Sequence, residues 1–187
     1  MIQEVIVTTR NSEGLAHIAP MGIHFEADTI LILPFRPSST LNNILESQSA
    51  VINYCDDVRV FAGCLTGRRD WPLQNAEKTS GYRLQDTLAH VEVELTRVED
   101  DPVRPKLFCH TVHSAHHAPF RGFNRAQYAV LEAAILVSRL DRLPIEKLKS
   151  ELNYLRIGID KTAGPRELEA WGWLMPLFEQ HFAKHAT

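Results

Sequence analysis

Cysteine is scarce in this chain, and neither sign of charge dominates. Three cysteines, Cys55, Cys64 and Cys109, occur among 187 residues. An odd number at spacings that match no zinc pattern argues against a disulfide framework. Free thiols in a reducing compartment are the expectation, with the cytoplasm as location. Lys plus Arg number 20 and Asp plus Glu 23, for a net charge of −3. This balance excludes a strongly basic nucleic-acid binder and an acidic disordered tail. No apolar run approaches the roughly 18 residues of a membrane span. The segment Met1-Ile2-Gln3-Glu4 lacks the basic and apolar regions of a signal peptide. Neither nucleic acid nor membrane is therefore an expected partner. Also missing are a P-loop, a nucleophile elbow, a long glycine-rich dinucleotide fingerprint and any internal repeat.

What remains is the make-up of a globular domain, 44% hydrophobic and 23% charged. A chain of this length buries roughly 70% of its unfolded surface and needs no staple. Its character changes near residue 124. Before that point short β-rich runs alternate with turn residues. Ile2 to Thr9 reads as a strand, Asn11-Ser12-Glu13-Gly14 as a turn and Leu15 to Ala19 as the returning strand, broken by Pro20 and Gly22. The apolar run Asp28 to Pro34 reads as a buried strand. Ser38 or Ser39 caps a helix to about Ser47, Ala50 to Cys55 is a strand, and Asp56 or Asp57 caps a short helix. Residues 67–81 read as a long loop. Two more strands, His90 to Val98 and Arg104 to Val112, follow it.

From Arg125 the apolar residues recur at three and four. Asn124 caps one helix, Pro144 opens a second and Gly164-Pro165 a third. The fold class expected is α+β: a small closed or split barrel over 1–123, with a helical subdomain over 124–187 packed on it.

Chemistry could sit at three places. In Phe35 to Asn43 a strand delivers the chain into Arg36, then Ser38, Ser39 and Thr40, then a helix N-terminus. Free N–H groups, hydroxyls and a guanidinium together suit a phosphate. An ordinary capped helix with an exposed arginine accounts for the same residues. In Ala19-Pro20-Met21-Gly22-Ile23, an interrupted backbone could flank a planar ring attached to that phosphate. The run Cys109 to His117 holds His110, His113, His116 and His117, which raises a metal site as an alternative. His110 and His113 differ by three, so on a regular strand they face opposite ways. No metal is expected there; a pH-responsive role in a loop beside the ligand is the preferred reading. No residue stands out as a catalytic acid or base.

The order and spacing of several short segments resemble the FMN-binding split-barrel flavoproteins related to flavin reductases. The resemblance is nearest to an uncharacterised family of such proteins from archaea and methylotrophic bacteria. It is carried by Ala19-Pro20-Met21-Gly22, by Pro34 to Asn43, by Val51 to Asp57, by Gly122 to Ala126, by Glu132 and by Lys161 to Gly164. It implies a six-stranded Greek-key split barrel that dimerises, with FMN at or near the interface. Arg36, Ser38, Ser39, Thr40 and Asn43, with Phe35, would hold the phosphate end. Pro20, Met21, Gly22 and Ile23 would line the ring, and Asn53 would support the site. His116, Phe120, Asn124 and Arg125 would come from the partner subunit. The implied activity is an FMN-dependent oxidoreductase acting on a small molecule, with NAD(P)H a candidate donor. A flavin-binding module without turnover is the alternative.

Overall fold

The computed structural model describes residues 1–26 and 29–185. Two compact units form: Met1–Cys55 with Asp70–Phe120, and Asp56–Arg69 with Arg121–Thr187. The first is built on six antiparallel strands that close into a barrel. They are β1 (Ile2–Arg10), β2 (Ala16–Glu26), β3 (Thr29–Ile32), β4 (Ser49–Tyr54), β7 (Ala89–Glu99) and β8 (Lys106–His116). The order around the barrel is β1-β2-β3-β8-β7-β4, a Greek-key path in which β7 and β8 return between β4 and β3. The strand expected over 28–34 is seen as β3; Asp28 lies outside the described residues. One face of each strand fills the barrel, with Val5, Val7, Ile23, Ile32, Ile52, Val93 and Leu107 all fully buried. Alternation of inward apolar and outward polar residues is what such closure requires.

Three local expectations are corrected. First, β2 is not broken at Pro20 and Gly22. Its register against β1 runs without a shift from His24 to Ala16, with Pro20 opposite Ile6. Pro20 is tolerated because β3 pairs with β2 only over His24, Phe25 and Glu26, so β2 has a ladder neighbour on one side at that point. Second, residues 67–81 are not one irregular loop. They contribute to a hairpin of β5 (Leu73–Asn75) and β6 (Tyr82–Leu84). This hairpin is fastened to the barrel's outer face by the Thr8 hydroxyl, which donates to the Tyr82 carbonyl, and by Arg10 Nη1 donating to the Ser80 carbonyl at 3.1 Å. Third, β8 runs on to His116, so His110, His113 and His116 are on a strand and not in a loop, with His117 just past its end.

The turn reading at Asn11 to Gly14 is seen as expected. Gly14 has φ +87°, a conformation that side chains with a Cβ rarely adopt. Helix α1 (Ser39–Ser47) follows β3, with the Ser38 hydroxyl accepting from Leu41 N.

The second unit is helical: α2 (Val58–Leu65), α3 (Arg125–Val137), α4 (Ile145–Thr162) and α5 (Pro165–Lys184). Their apolar faces meet in one core that includes Val58, Ala62, Val130, Leu148, Leu174 and Phe178. Asp57 caps α2 and Asn124 caps α3, as the sequence suggests. Thr162, at the end of α4, also accepts from Ala126 N at 3.0 Å. Helices α3 and α4 approach closely at Gly158, where an added Cβ would lie 3.1 Å from the Arg125 carbonyl oxygen. Among the described residues no helix is long and apolar enough to cross a membrane.

Candidate functional site

The bend between β3 and α1 is exposed and rich in donors. Phe35, Arg36 and Ser39 are exposed, whereas Thr40 is buried. Pro37 follows a cis peptide bond. The Ser38 carbonyl accepts from Asn42 N at 3.2 Å and its hydroxyl from Leu41 N at 3.3 Å. The N–H groups of Ser39 and Thr40 precede the helical ladder and end at the positive pole of the helix.

Two guanidinium groups approach this bend. Arg36 Nη2 donates to Asp100 Oδ1 at 2.7 Å, an exposed pair. Arg104 Nε donates to the Leu33 carbonyl at 2.9 Å, and its guanidinium lies 4.9 Å from the centre of the Phe35 ring. The sequence reading missed Arg104, which lies some seventy residues from the bend in the chain. The turn that carries it is tied by Asp101 Oδ1, which accepts from Arg104 N and Val103 N at 2.7 and 2.8 Å. These bonds, that with Arg104 first, hold the Asp101 carboxyl below its ordinary range. An oxyanion is the ligand that such an arrangement suits.

The other expected residues fall into distinct places. Asn43 is buried and donates to Thr9 Oγ1 at 3.0 Å, tying α1 to β1. On β2, Ile23 is in the barrel core and Met21 packs against it. What these two can offer a ligand outside the barrel is therefore backbone. Gly22 is closely overlaid by β1, with Ile2 Cγ2 and Glu4 Oε1 within 3.0 and 3.1 Å of where its Cβ would be. Asn53 is fully buried and spends its amide on the fold: Nδ2 donates to the Ile6 carbonyl, and Oδ1 accepts from Leu84 N at 2.7 Å. His116 and Phe120 are exposed in the first unit.

In the second unit, Asn124 caps α3 and donates to the Thr162 carbonyl at 3.1 Å. Arg125 is exposed and lines a shallow groove with Tyr128, Tyr154, Ile157 and Gly158. Glu132 raises the Tyr128 phenol from its ordinary value by repelling the phenolate, with burial adding to the effect.

A second polar centre, which joins His113 and His117 of the histidine run to His90 and Glu92, lies beneath the β5–β6 hairpin. Glu92 is fully buried. Its carboxylate accepts from the N–H groups of Glu77, Lys78 and Thr79 at 2.6, 2.9 and 2.6 Å, and from Thr79 Oγ1 at 3.0 Å. Burial pushes this carboxyl up, but the Thr79, Glu77 and Lys78 donors outweigh it and hold it down at about 2. His90, also fully buried, places Nε2 3.3 Å from Glu92 Oε1 and Nδ1 2.8 Å from His117 Nε2. Burial lowers the His90 pKa against the pull of Glu92. His113 is brought to the same face by a bulge: Thr111 pairs with Val93 but His113 with Glu92, so Val112 is an extra residue. His110 consequently faces Glu94, His113 faces Glu92, and the two histidines share the outer face; the opposite-face expectation fails because β8 is not regular there.

A six-stranded antiparallel barrel with a helical unit defines an α+β class of split-barrel protein, the architecture of flavin reductase-like folds. Residues 3–118 match the family model described as the N-terminal domain of a protein of unknown function (DUF447), and residues 124–176 match the companion DUF447 model. The chain belongs to this family. An FMN-bound protein of Methanosarcina mazei from the same family superposes with a TM-score of 0.79 at 18% identity over 94% of each chain. A 2-nitrobenzoate 2-nitroreductase of Pseudomonas fluorescens superposes at 0.54, with 23% identity over 61% of this chain and 64% of its own. Component B of a Bacillus cereus nitrilotriacetate monooxygenase gives 0.55, 20%, 65% and 74%. No curated protein matches this chain in sequence.

Proposed function

We propose that this protein binds FMN through the β3–α1 bend and works as an oxidoreductase on a small molecule. The feature that supports the reading is the run of Arg36, Ser38, Ser39 and Thr40 into the N-terminus of α1, with the Arg104 guanidinium over the Phe35 ring beside it. The FMN-bound family member from Methanosarcina mazei, alike over 94% of each chain, supports it.

In this reading Arg36 and Ser39 contact the phosphate directly and Thr40 lines the base of the bend. Arg104 contributes positive potential while holding the Phe35 side of the bend in place. Ser38 positions the helix end, since its own hydroxyl is already an acceptor for Leu41 N. Asn43 and Asn53 act as positioning residues, because their amides are committed to Thr9 and to Ile6 and Leu84. Met21 and Gly22 present backbone along the one-sided stretch of β2. Bound FMN would supply the hydride and electron chemistry. A homodimer belongs to the proposal, with His116, Phe120 and Arg125 offered to a neighbour's site and Asn124, its amide committed to the start of α3 and to Thr162, positioning Arg125.

Equilibrium titration with FMN, followed by quenching of flavin fluorescence, tests the anchor. Wild type should bind one FMN per chain, and Arg36→Ala with Thr40→Ala should weaken binding by about 3–6 kcal/mol, the loss of two charge-assisted or buried contacts. Undiminished affinity in the double variant would remove the bend from the site. Stopped-flow mixing of the FMN complex with NADH or NADPH tests the oxidoreductase part, with bleaching of the flavin band expected.

A further inference from the structure

We propose that His90, Glu92 and His113 form a binding site for one divalent first-row metal ion, zinc being the representative, which clamps the β5–β6 hairpin to the barrel. The proposal is independent of the flavin reading.

The ligand set is already assembled. One ligand atom from each of the three residues lies within 4.8 Å of the other two. His90 Nε2 and Glu92 Oε1 are 3.3 Å apart. Two ligands bound at about 2.0–2.1 Å around a tetrahedral zinc would be separated by about 3.3 Å, so this edge needs no rearrangement. Two imidazoles and one carboxylate are a known zinc combination that leaves a fourth position. Glu77 is a candidate for it, since its Oε2 lies 3.3 Å from His113 Nε2. That nitrogen is shut off from solvent, and its contact with Glu77 lacks hydrogen-bond geometry, which leaves it open to a further partner.

The outer partners suit a metal as well. A ligating histidine usually donates its second N–H to an acceptor, and a ligating carboxylate is itself hydrogen-bonded. His90 has His117 Nε2 at 2.8 Å from Nδ1, leaving Nε2 for the ion. Glu92 Oε2 is fixed by Lys78 N, Thr79 N and Thr79 Oγ1, and Oε1 by Glu77 N. Among the described residues the only ion-pair partner of the buried Glu92 carboxylate is His90. A cation would supply the charge that no lysine or arginine brings into direct contact there. Because Glu92 receives three consecutive hairpin N–H groups, an ion held by it would tie residues 77–79 to β7 and β8.

The full-length protein, stripped with chelator and dialysed, should take up one zinc per chain in a calorimetric titration. Cobalt(II) should give the visible absorption of a four-coordinate site. His113→Gln should lower zinc affinity at least about tenfold. His185→Gln should leave it unchanged, testing the histidine pair of α5 in which His181 lies 3.7 Å from Asp141 and its ring 4.5 Å from that of His185. Zinc should also slow amide exchange at Glu77, Lys78 and Thr79 in the wild type. This readout decides the matter even if His113→Gln does not fold. Sub-stoichiometric uptake, loss of binding in His185→Gln instead, or unchanged exchange at residues 77–79 would each overturn the proposal.

Discussion

Asn53 and Leu84 meet at 2.7 Å, the side-chain oxygen of one accepting from the backbone N–H of the other. The same amide donates to the Ile6 carbonyl and to Thr8 Oγ1, each at 3.1 Å. One buried side chain thus joins β1, β4 and the hairpin. Asn53→Ala would leave the Leu84 N–H without its acceptor. It should destabilise the protein by about 2–4 kcal/mol in urea unfolding, with faster amide exchange at Leu84. A loss below about 0.5 kcal/mol, the level of an unremarkable surface change, would mean that the hairpin is held elsewhere.

Arg36 is not idle before a ligand arrives, because Asp100 already accepts from it. An anion at the bend must compete with that carboxylate. Asp100→Asn should therefore tighten FMN binding several-fold at low salt, and the gain should shrink as salt rises, since both groups are exposed. Equal or weaker binding in the variant would show that Arg36 stays on its acidic neighbour.

The thiols should separate by reactivity. Burial pushes Cys64 up to about 11, Arg69 opposing it slightly, and pushes Cys109 up to about 12. Both are protonated at pH 8, and their thiolate fractions grow only as the pH approaches those values. Cys55 is only half-buried. A disulfide reagent at pH 8 should label Cys55 first, with the other two reacting in step with unfolding. Rapid labelling of Cys109 in the native protein would contradict the barrel packing.

Two glycines in the helical unit should respond in opposite directions. A Cβ at Gly158 would crowd the Arg125 carbonyl, whereas one at Gly172 would meet nothing within 4 Å. Gly158→Val should cost about 1–3 kcal/mol through overpacking. Gly172→Ala should gain about 0.5–1 kcal/mol, because alanine loses less entropy on entering a helix. Thermal melts of the two variants read both signs.

The sequence signals that succeeded were local ones. Ser38, Asp57 and Asn124 cap helices by bonding N–H groups two or three residues away, so they are visible in a short window. The β5–β6 hairpin escaped because its strands are three residues each and its anchors, Asn53 and Glu92, are remote in the chain. His90 and Glu92 alternate with Val91 and Val93, the pattern of a half-exposed strand; it takes the hairpin above them to turn that face into an interior. Arg104 escaped for the same reason, since only barrel closure carries its turn to the β3–α1 bend.

The surplus residue at Val112 has a consequence for comparing related chains. Strand side chains alternate, so at this strand length a regular ladder without the bulge would set Val112 opposite Glu92 and turn His113 inward, whereas loss of Val112 itself would leave Thr111 and His113 opposite Val93 and Glu92. A homologue of equal length that pairs without the bulge would keep every histidine and still scatter the cluster, while one that lacks only the bulge residue would retain it. The spacing of the histidines taken together with the bulge is thus a sharper marker than histidine content for which members of the family share this buried centre.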